Sequence, residues 1–307
     1  MKIRFSIIII HRNNKKILQK ALSSICPLLK NDELIIVDNN SDDNSINEIT
    51  LPIAFKVIRN TCNAGYGYAC NQGMNIARGE FFLLCNNDIE LKNNSLNLFE
   101  SLLFQNPNAG LIGPQMFSPD NKKLNSYSTI VPNFLNQLDL VGRPFRNKKI
   151  DKISEVTTLR GACIAVRKSM INDIGVYDES FYFYHEETEW CLRIKKSMRW
   201  KVMFAPEIEI NHISGASTDK LFIGSRVEFY RSRITLWKKI FSRKTYFFLL
   251  IFNTMKLFLD FLFYLIMFIL SLGISSTYKK KMIDRSVVIF WMLARRPNSW
   301  GLPDKCP

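Results

Sequence analysis

Short apolar runs alternate with amphipathic stretches over the first 120 residues of the chain. FSIIII (Phe5–Ile10), ELIIV (Glu33–Val37), FKVI (Phe55–Ile58) and FFLLC (Phe81–Cys85) are nearly continuous in apolar character. Such runs are expected of strands covered on both faces. Between them, Lys15–Leu29, a short segment near Asn44–Ile49 and Tyr66–Ala77 read as helices. Asn94–Phe104 follows, with Leu96, Leu98, Phe99, Leu102 and Leu103 on its apolar side. This alternation predicts an α/β fold built on a mostly parallel sheet flanked by helices. Residues 121–157 read as a loop-rich connection. Order resumes with a strand at Ala162–Val166, helices at Ser169–Ile174 and Glu186–Lys196, and strands at Trp200–Phe204 and Ile208–Ile210.

A polar cluster follows each of the first four strands: His11-Arg12-Asn13-Asn14, Asp38-Asn39-Asn40-Ser41, Asn60 to Asn63, and Asn86-Asn87-Asp88. Asn and Asp at a strand end commonly form turns or helix caps. Four clusters at one edge of a parallel sheet, however, lie where such sheets bind ligands, beyond the carboxyl ends of the strands.

Charge separates the chain into two parts. The net charge is +15, yet sixteen Lys/Arg against four Asp/Glu from Lys220 onward account for +12 and leave +3 for residues 1–219. A nearly neutral body with a basic tail does not favour nucleic acid as partner. The tail also holds the longest apolar stretch, Thr245–Ile274, interrupted by Lys256 and Asp260. A span needs roughly 20 apolar residues, and basic clusters flank both ends: Lys238, Lys239, Arg243 and Lys244 before, Lys279 to Lys281 after. Because positive residues stay cytoplasmic, these flanks favour a helix in the plane of an anionic membrane surface, or a re-entrant pair, over a crossing. The expected division is an α/β domain at 1–219, which the resemblance given below implies is the catalytic one, and a membrane-associating helical region at 220–307. Seven cysteines without CxxC spacing, mostly in apolar runs, point to reduced thiols rather than a disulfide framework or a zinc site. The N-terminal KIRFSIIII lacks the cleavage site of a signal peptide.

Three constellations carry candidate chemistry. NAGYGYACNQG (Asn63–Gly73) has Gly65 and Gly67, but Cys70 stands where a dinucleotide fingerprint needs its third glycine. Such a turn can instead lend backbone N–H groups to a diphosphate or a sugar. Asp88 is a candidate ligand for Mg²⁺ or Mn²⁺, which needs few protein carboxylates when a diphosphate supplies the rest. His212, at the end of the last strand and followed by Ser214-Gly215, is a second candidate ligand. DESFYFYHEETEW crowds Asp178, Glu179, Glu186, Glu187 and Glu189 among Phe181, Tyr182, Phe183 and Tyr184. Aromatics offer a stacking surface to a saccharide and a carboxylate can take its hydroxyl proton, although acids are also favoured at any helix start.

Taken with SIIIIHRNN, IIVDNNSDDNS, RNTCNAGYGYACNQGMNIARGEFFLLCNNDIEL, GACIAVRKSMINDIGVYDESFYFYHEETEWCLR and INHISGAST, the chain resembles an inverting family-2 glycosyltransferase of the GT-A fold. The resemblance is to the rhamnosyltransferase-like branch of bacterial surface-polysaccharide synthesis and covers about 215 of the 307 residues. It implies donor contacts at His11, Arg12, Asn13, Asp38, Asn63, Gly65, Asn71 and Asn87. It implies Asp88 as the surviving aspartate of a D-x-D metal motif, with His212 in a late His motif. Glu187 aligns with the catalytic base, and Glu186 and Glu189 are its rivals, because Glu186-Glu187-Thr188-Glu189 stands where the branch has Glu-Asp-x-Asp. Asn86 replaces the first aspartate of D-x-D. The implied reaction moves a sugar, such as rhamnose, from a nucleotide-diphosphate sugar to a saccharide or lipid-linked saccharide acceptor at the cytoplasmic face of the inner membrane.

Two other classes are weighed against this. A nucleotidyltransferase would need a glycine- and lysine-rich loop near the N-terminus, and HRNNKK has no glycine. A non-catalytic sugar-binding protein would explain Asn86, but Asp88, His212 and the three glutamates are all retained.

Overall fold

A computed structural model describes residues 3–138, 148–213, 222–302 and 305–306. Its sheet starts from β1 (Phe5–His11), which is buried along its whole length. Parallel neighbours flank it, β2 (Glu33–Asp38) on one side and β4 (Phe81–Asn86) on the other, and β3 (Phe55–Arg59) continues the parallel run beyond β2. Four strand ends thus point the same way, as the alternation predicts. Helix α1 (Lys15–Ile25) is capped by Asn14 and buries Leu18, Ala21, Leu22 and Ile25, one face at helical spacing. It stops short of the expected Leu29, because Pro27 cannot supply a helical N–H, and Cys26–Leu28 tighten into a 3₁₀ turn. The segment near Asn44–Ile49 forms turns rather than a helix. Helix α2 (Tyr66–Ile76) precedes β4, and α3 (Ser95–Gln105) follows the short β5 (Ile89–Leu91).

The second half of the sheet departs from the simple alternation. A fully buried strand, β6 (Ala109–Phe117), was hidden in the sequence by Gly110, Gly113 and Pro114. Gly113 is there for space, since a Cβ would lie 2.5 Å from the Leu159 side chain. The segment at 121–157 is more ordered than a bare connection. It holds β7 (Tyr127–Ser128), helix α4 (Phe134–Gln137) with an Asn133 capping box, and β8 (Ser154–Glu155), and β7 pairs with β9 (Thr158–Leu159). Strand β10 (Cys163–Arg167) then inserts antiparallel between β4 and β6.

After α5 (Lys168–Ile174) and α6 (Glu186–Lys196), one strand, β11 (Lys201–His212), takes the place of the two expected. Its pairing with β6 slips between Ala205 and Glu209, beside Pro114, the kind of irregularity that lets a sheet tolerate proline. The sheet order is β3-β2-β1-β4-β10-β6-β11-β5, with β8 on β11. Apolar clusters cover both faces.

Beyond residue 221 the chain is helical: α7 (Phe222–Ile240), α8 (Arg243–Leu270) and α9 (Ser276–Leu293). These share a third cluster with Leu138 that includes Trp237, Leu257, Val288 and Trp291. Helices α8 and α9 run antiparallel, with Thr254 meeting Met292 and Arg285 reaching both Asp260 and the Tyr264 ring. Among the described residues α8 is the one helix long and apolar enough to cross a membrane, with a mean hydropathy of 1.8. Its outer face exposes Phe248, Ile251, Met255, Phe258, Leu262 and Ile266, a stripe at helical spacing. Lys256 and Asp260 pair with each other at 2.9 Å.

Candidate active site

The four polar clusters meet in one hydrogen-bonded network at the carboxyl ends of β1 to β4. Buried His11 sits at its base, its Nε2 2.6 Å from Ser45 Oγ and its Nδ1 2.9 Å from Asn87 Nδ2. An amide nitrogen can only donate, so Nδ1 accepts and the ring proton lies on Nε2. Burial holds this imidazole below its usual pKa, with Asp38 and Asp43 opposing. His11 is therefore a neutral support for Asn87 rather than an exposed donor contact. Asn13 ties the first two clusters together, taking Asp42 N on its side chain and giving its own N–H to Ser41 Oγ. Asp38 caps the same turn through Ser41 N at 3.0 Å.

Asn39 Oδ1 accepts from Ala64 N and from Asn60, and Asn63 Oδ1 accepts from Asn39 and from Gly65 N. Tyr66 N bonds to Tyr182 O at 3.1 Å. The N–H groups of Ala64, Gly65 and Tyr66 are thus already engaged, contrary to the expectation that this turn offers them to a diphosphate. Gly65 is required for another reason: its φ is +89°, and a Cβ would lie 2.4 Å from Tyr182 O.

Asn71 departs from its expected place. Its side chain bonds Tyr177 O, Tyr177 N and Glu179, locking α2 to the segment before α6. It lines a separate cavity with Lys168 and Val176, not the one that His11, Arg12, Asn63, Asn87 and Tyr182 line.

Asp88 and His212 come together because β5 pairs antiparallel with the end of β11, His212 opposite Ile89, and Ile213 N bonds Asp88 O. Asp88 Oδ1 is buried, makes no hydrogen bond and lies 3.3 Å from His212 Nε2. An oriented carboxylate oxygen beside an imidazole fits a divalent cation, and the nitrogen suits Mn²⁺ better than Mg²⁺, which prefers oxygen alone. Among the described residues no cluster of three His, Cys, Asp or Glu could hold a metal, so diphosphate and water would complete the shell. Ser214 and Gly215, next to His212, lie outside the described residues.

The three glutamates at the start of α6 separate into distinct environments. Glu189 pairs with Arg193 at 2.9 Å, and Arg193 also bonds Ile174 O and Val176 O, a brace for the preceding loop. Glu186 is buried with Oε2 unpartnered; burial, then repulsion from Glu187, pushes its carboxyl well above the usual range. Glu187 lies against Gly161, where a Cβ would be 3.7 Å from it. Burial raises its pKa, while helix-start N–H groups and the Arg160 guanidinium act the other way.

The β9–β10 connection runs between Glu187 and Asn86. Gly161 abuts Glu187, its carbonyl accepts the Tyr66 hydroxyl at 2.7 Å, and the next carbonyl, Ala162 O, accepts Asn86 N at 2.9 Å. Phe181 is buried in the core and offers no stacking face, whereas Tyr182 and Phe183 line the strand-end cavity. Tyr184 and His185 both adopt left-handed φ, +69° and +66°. Such strain, about 1–3 kcal/mol per residue, is held by α7: Ser232 Oγ bonds Phe183 O at 2.7 Å and Phe229 packs on the His185 ring.

One cysteine expectation is overturned. Cys62 and Cys306 form a disulfide, a pairing that no local spacing reveals because 244 residues separate them, while Cys26, Cys70, Cys85, Cys163 and Cys191 are free. Arg160, Gly161 and Leu302 were also missed, since nothing in their local sequence marks them.

Known proteins share part of this sequence and its fold. The chain is 24% identical to the low-salt glycan biosynthesis hexosyltransferase Agl10 of Haloferax volcanii, over 62% of this chain and 61% of that protein. It is 22% identical to an N-acetylglucosaminyl-diphospho-decaprenol L-rhamnosyltransferase of Mycobacterium tuberculosis, over 61% of this chain and 68% of that one. The chain thus matches less than two thirds of the hexosyltransferase's length. Its fold superposes on the mannosyltransferase PcManGT of Pyrobaculum calidifontis, solved with GDP-Man and Mn²⁺, with a TM-score of 0.54, 12% identity, and 94% and 86% of the two chains covered. Residues 6–175 match the family model described as Glycosyl transferase family 2, and the chain belongs to that family.

Proposed function

We propose that this protein is an inverting, metal-dependent glycosyltransferase that moves a hexose or deoxyhexose from a nucleotide-diphosphate sugar to a saccharide acceptor. One observation carries the reading: Gly161 sits beside Glu187, so that a Cβ there would lie 3.7 Å from it, and the next carbonyl, Ala162 O, accepts the N–H of Asn86, two residues from Asp88. A carboxylate with raised pKa and an oriented metal-ligand pair thus border one short stretch of backbone. A single displacement at an anomeric carbon needs a base on one face and the leaving diphosphate on the other, and Glu187 and Asp88 are the residues proposed for those two sides.

In this reading Asp88 and His212 hold Mg²⁺ or Mn²⁺, which when bound supplies positive charge to the leaving diphosphate. Asp38, Asn39 and Asn63 shape the nucleoside end, and Arg12 and Asn87 face the diphosphate. Glu187 takes the proton from the acceptor hydroxyl as its oxygen bonds to the anomeric carbon and the nucleoside diphosphate departs, through an oxocarbenium-like transition state as in glycoside hydrolysis. Glu186, protonated, lets Glu187 ionise without a charged neighbour.

The acceptor reading is a lipid-linked saccharide, because the mycobacterial relative's name specifies a diphospho-decaprenol acceptor and α8 exposes an apolar stripe between basic flanks. Helices α8 and α9 would lie in the interface of an anionic cytoplasmic leaflet, with residues 1–219 as the catalytic part. Incubation with a panel of nucleotide sugars and lipid-diphosphate saccharides, following release of nucleoside diphosphate, tests the reading. Failure of every donor to turn over would refute it.

A further inference from the structure

The strand-end cavity encloses only about 120 Å³, whereas sites for molecules of nucleotide-sugar size measure roughly 300–1,000 Å³. Part of its roof is not contributed by the sheet. Leu302, from the far end of the chain, lines it together with His11, Arg12, Asn63, Asn87 and Tyr182.

The C-terminal segment reaches this place through a dedicated set of contacts. Glu228 on α7 is fully buried, and its carboxylate receives Arg231, the Lys305 ammonium and Leu302 N. A carboxylate is placed so deep only where partners compensate it, and two of these three partners belong to the tail. Lys305 also stacks its ammonium 4.4 Å over the Tyr182 ring and pairs in β fashion with Asn63. Cys306 N bonds Asn63 O at 3.2 Å, and the Cys62–Cys306 disulfide closes the arrangement. Arg231 holds the approach to it through Pro297 O and Trp300 O.

We propose that Leu302, Lys305 and Cys306 form a redox-latched strap over the donor pocket. While Cys62 and Cys306 are joined, Leu302 occupies donor space and the enzyme is closed. A dithiol reductant opens it: its two electrons split the S–S bond, Cys62 and Cys306 become thiols, and the reductant leaves as its own disulfide. The strap, then held by non-covalent contacts such as those of Glu228, Asn63, Tyr182 and Arg231, yields to an entering nucleotide. At the cytoplasmic face proposed above the disulfide would stand in a reducing compartment, where such bonds are usually transient and sensory, which is the behaviour such a latch needs. The inference rests on the donor-site reading given above.

The test uses the full chain in three forms: oxidised, dithiothreitol-reduced, and Cys306→Ser. Hydrogen exchange of the Asn60–Tyr66 peptide reports the strap itself, and calorimetric titration with UDP, dTDP and GDP in Mn²⁺ reports the pocket. Reduction and Cys306→Ser should each accelerate exchange and tighten the preferred nucleotide at least about 10-fold. Cys306→Ser should no longer respond to dithiothreitol. Leu302→Ala should tighten binding in the oxidised form without reduction.

Unchanged exchange, equal affinity in the oxidised and reduced forms, or weaker binding on reduction would each overturn the strap. Faster exchange with no nucleotide bound to any form would overturn the donor-site reading, and the gating role with it.

Discussion

Asp88 Oδ1 faces His212 Nε2 at 3.3 Å, although β4 and β11 lie far apart in sequence and β5 is needed to bring them together. A buried carboxylate oxygen with no hydrogen bond, aimed at an imidazole, is arranged for a cation. Asp88→Ala should therefore lower turnover by at least about 10²-fold, since compensation of leaving-group charge is commonly worth several kcal/mol. His212→Ala should weaken Mn²⁺ more than it weakens nucleotide measured without metal. Full turnover in excess EDTA would sink the metal assignment.

Glu187→Gln keeps the shape of the side chain against Gly161 and removes the proposed base. Donor binding should survive while transfer falls by about 10²–10⁴-fold. Glu189→Gln should behave differently, loosening the Arg193 brace and lowering thermal stability with a smaller effect on turnover of the folded fraction. Near-normal transfer by Glu187→Gln, paired with a dead Glu186→Gln, would move the base one residue back.

The pH profile follows from the same carboxylate. Burial raises the Glu187 pKa, and in the proposed mechanism the deprotonated form is the active one. The acid limb of kcat/KM should therefore rise above the ordinary glutamate range. Arg160 attracts the charged form, so Arg160→Ala should move that limb to higher pH. A limb that stays put or moves down in Arg160→Ala would contradict this coupling.

The helical hairpin should bind vesicles containing anionic lipid and release at high salt only in part, because apolar insertion adds to charge attraction. Replacing Phe258, Leu262 and Ile266 with Ser should abolish flotation with vesicles while leaving the sheet domain folded. Modification of a cysteine engineered at Tyr278 by a reagent confined to the outer side would establish a crossing and defeat the in-plane arrangement.

The sheet's first half was legible because Phe5–Ile10, Glu33–Val37 and Phe81–Cys85 are buried on both faces and bounded by polar turns. β6 was not, because Gly113 is fixed by a single contact with Leu159 that no local pattern encodes. The site follows the same division. Residue types at strand ends announced His11, Asp38, Asn87 and Asp88, yet not their roles: His11 and Asn13 are committed to neighbours, and Asn71 faces another cavity. Which of three clustered glutamates is free to act depended on Arg193 and Gly161, one four residues on and the other far upstream. The Cys62–Cys306 bond lies beyond any reading of spacing.

Helix α7 grips the strained turn at Tyr184 and His185, one residue before the glutamates, through Ser232 and Phe229. It also shares a core with the α8–α9 hairpin. In the membrane-bound reading, the working carboxylate therefore stands at a set height above the lipid surface. An acceptor hydroxyl meets it only when the distance from its lipid anchor matches that height. The chain then measures its substrate, and the position of the new sugar along the growing glycan is chosen by length as well as by chemistry.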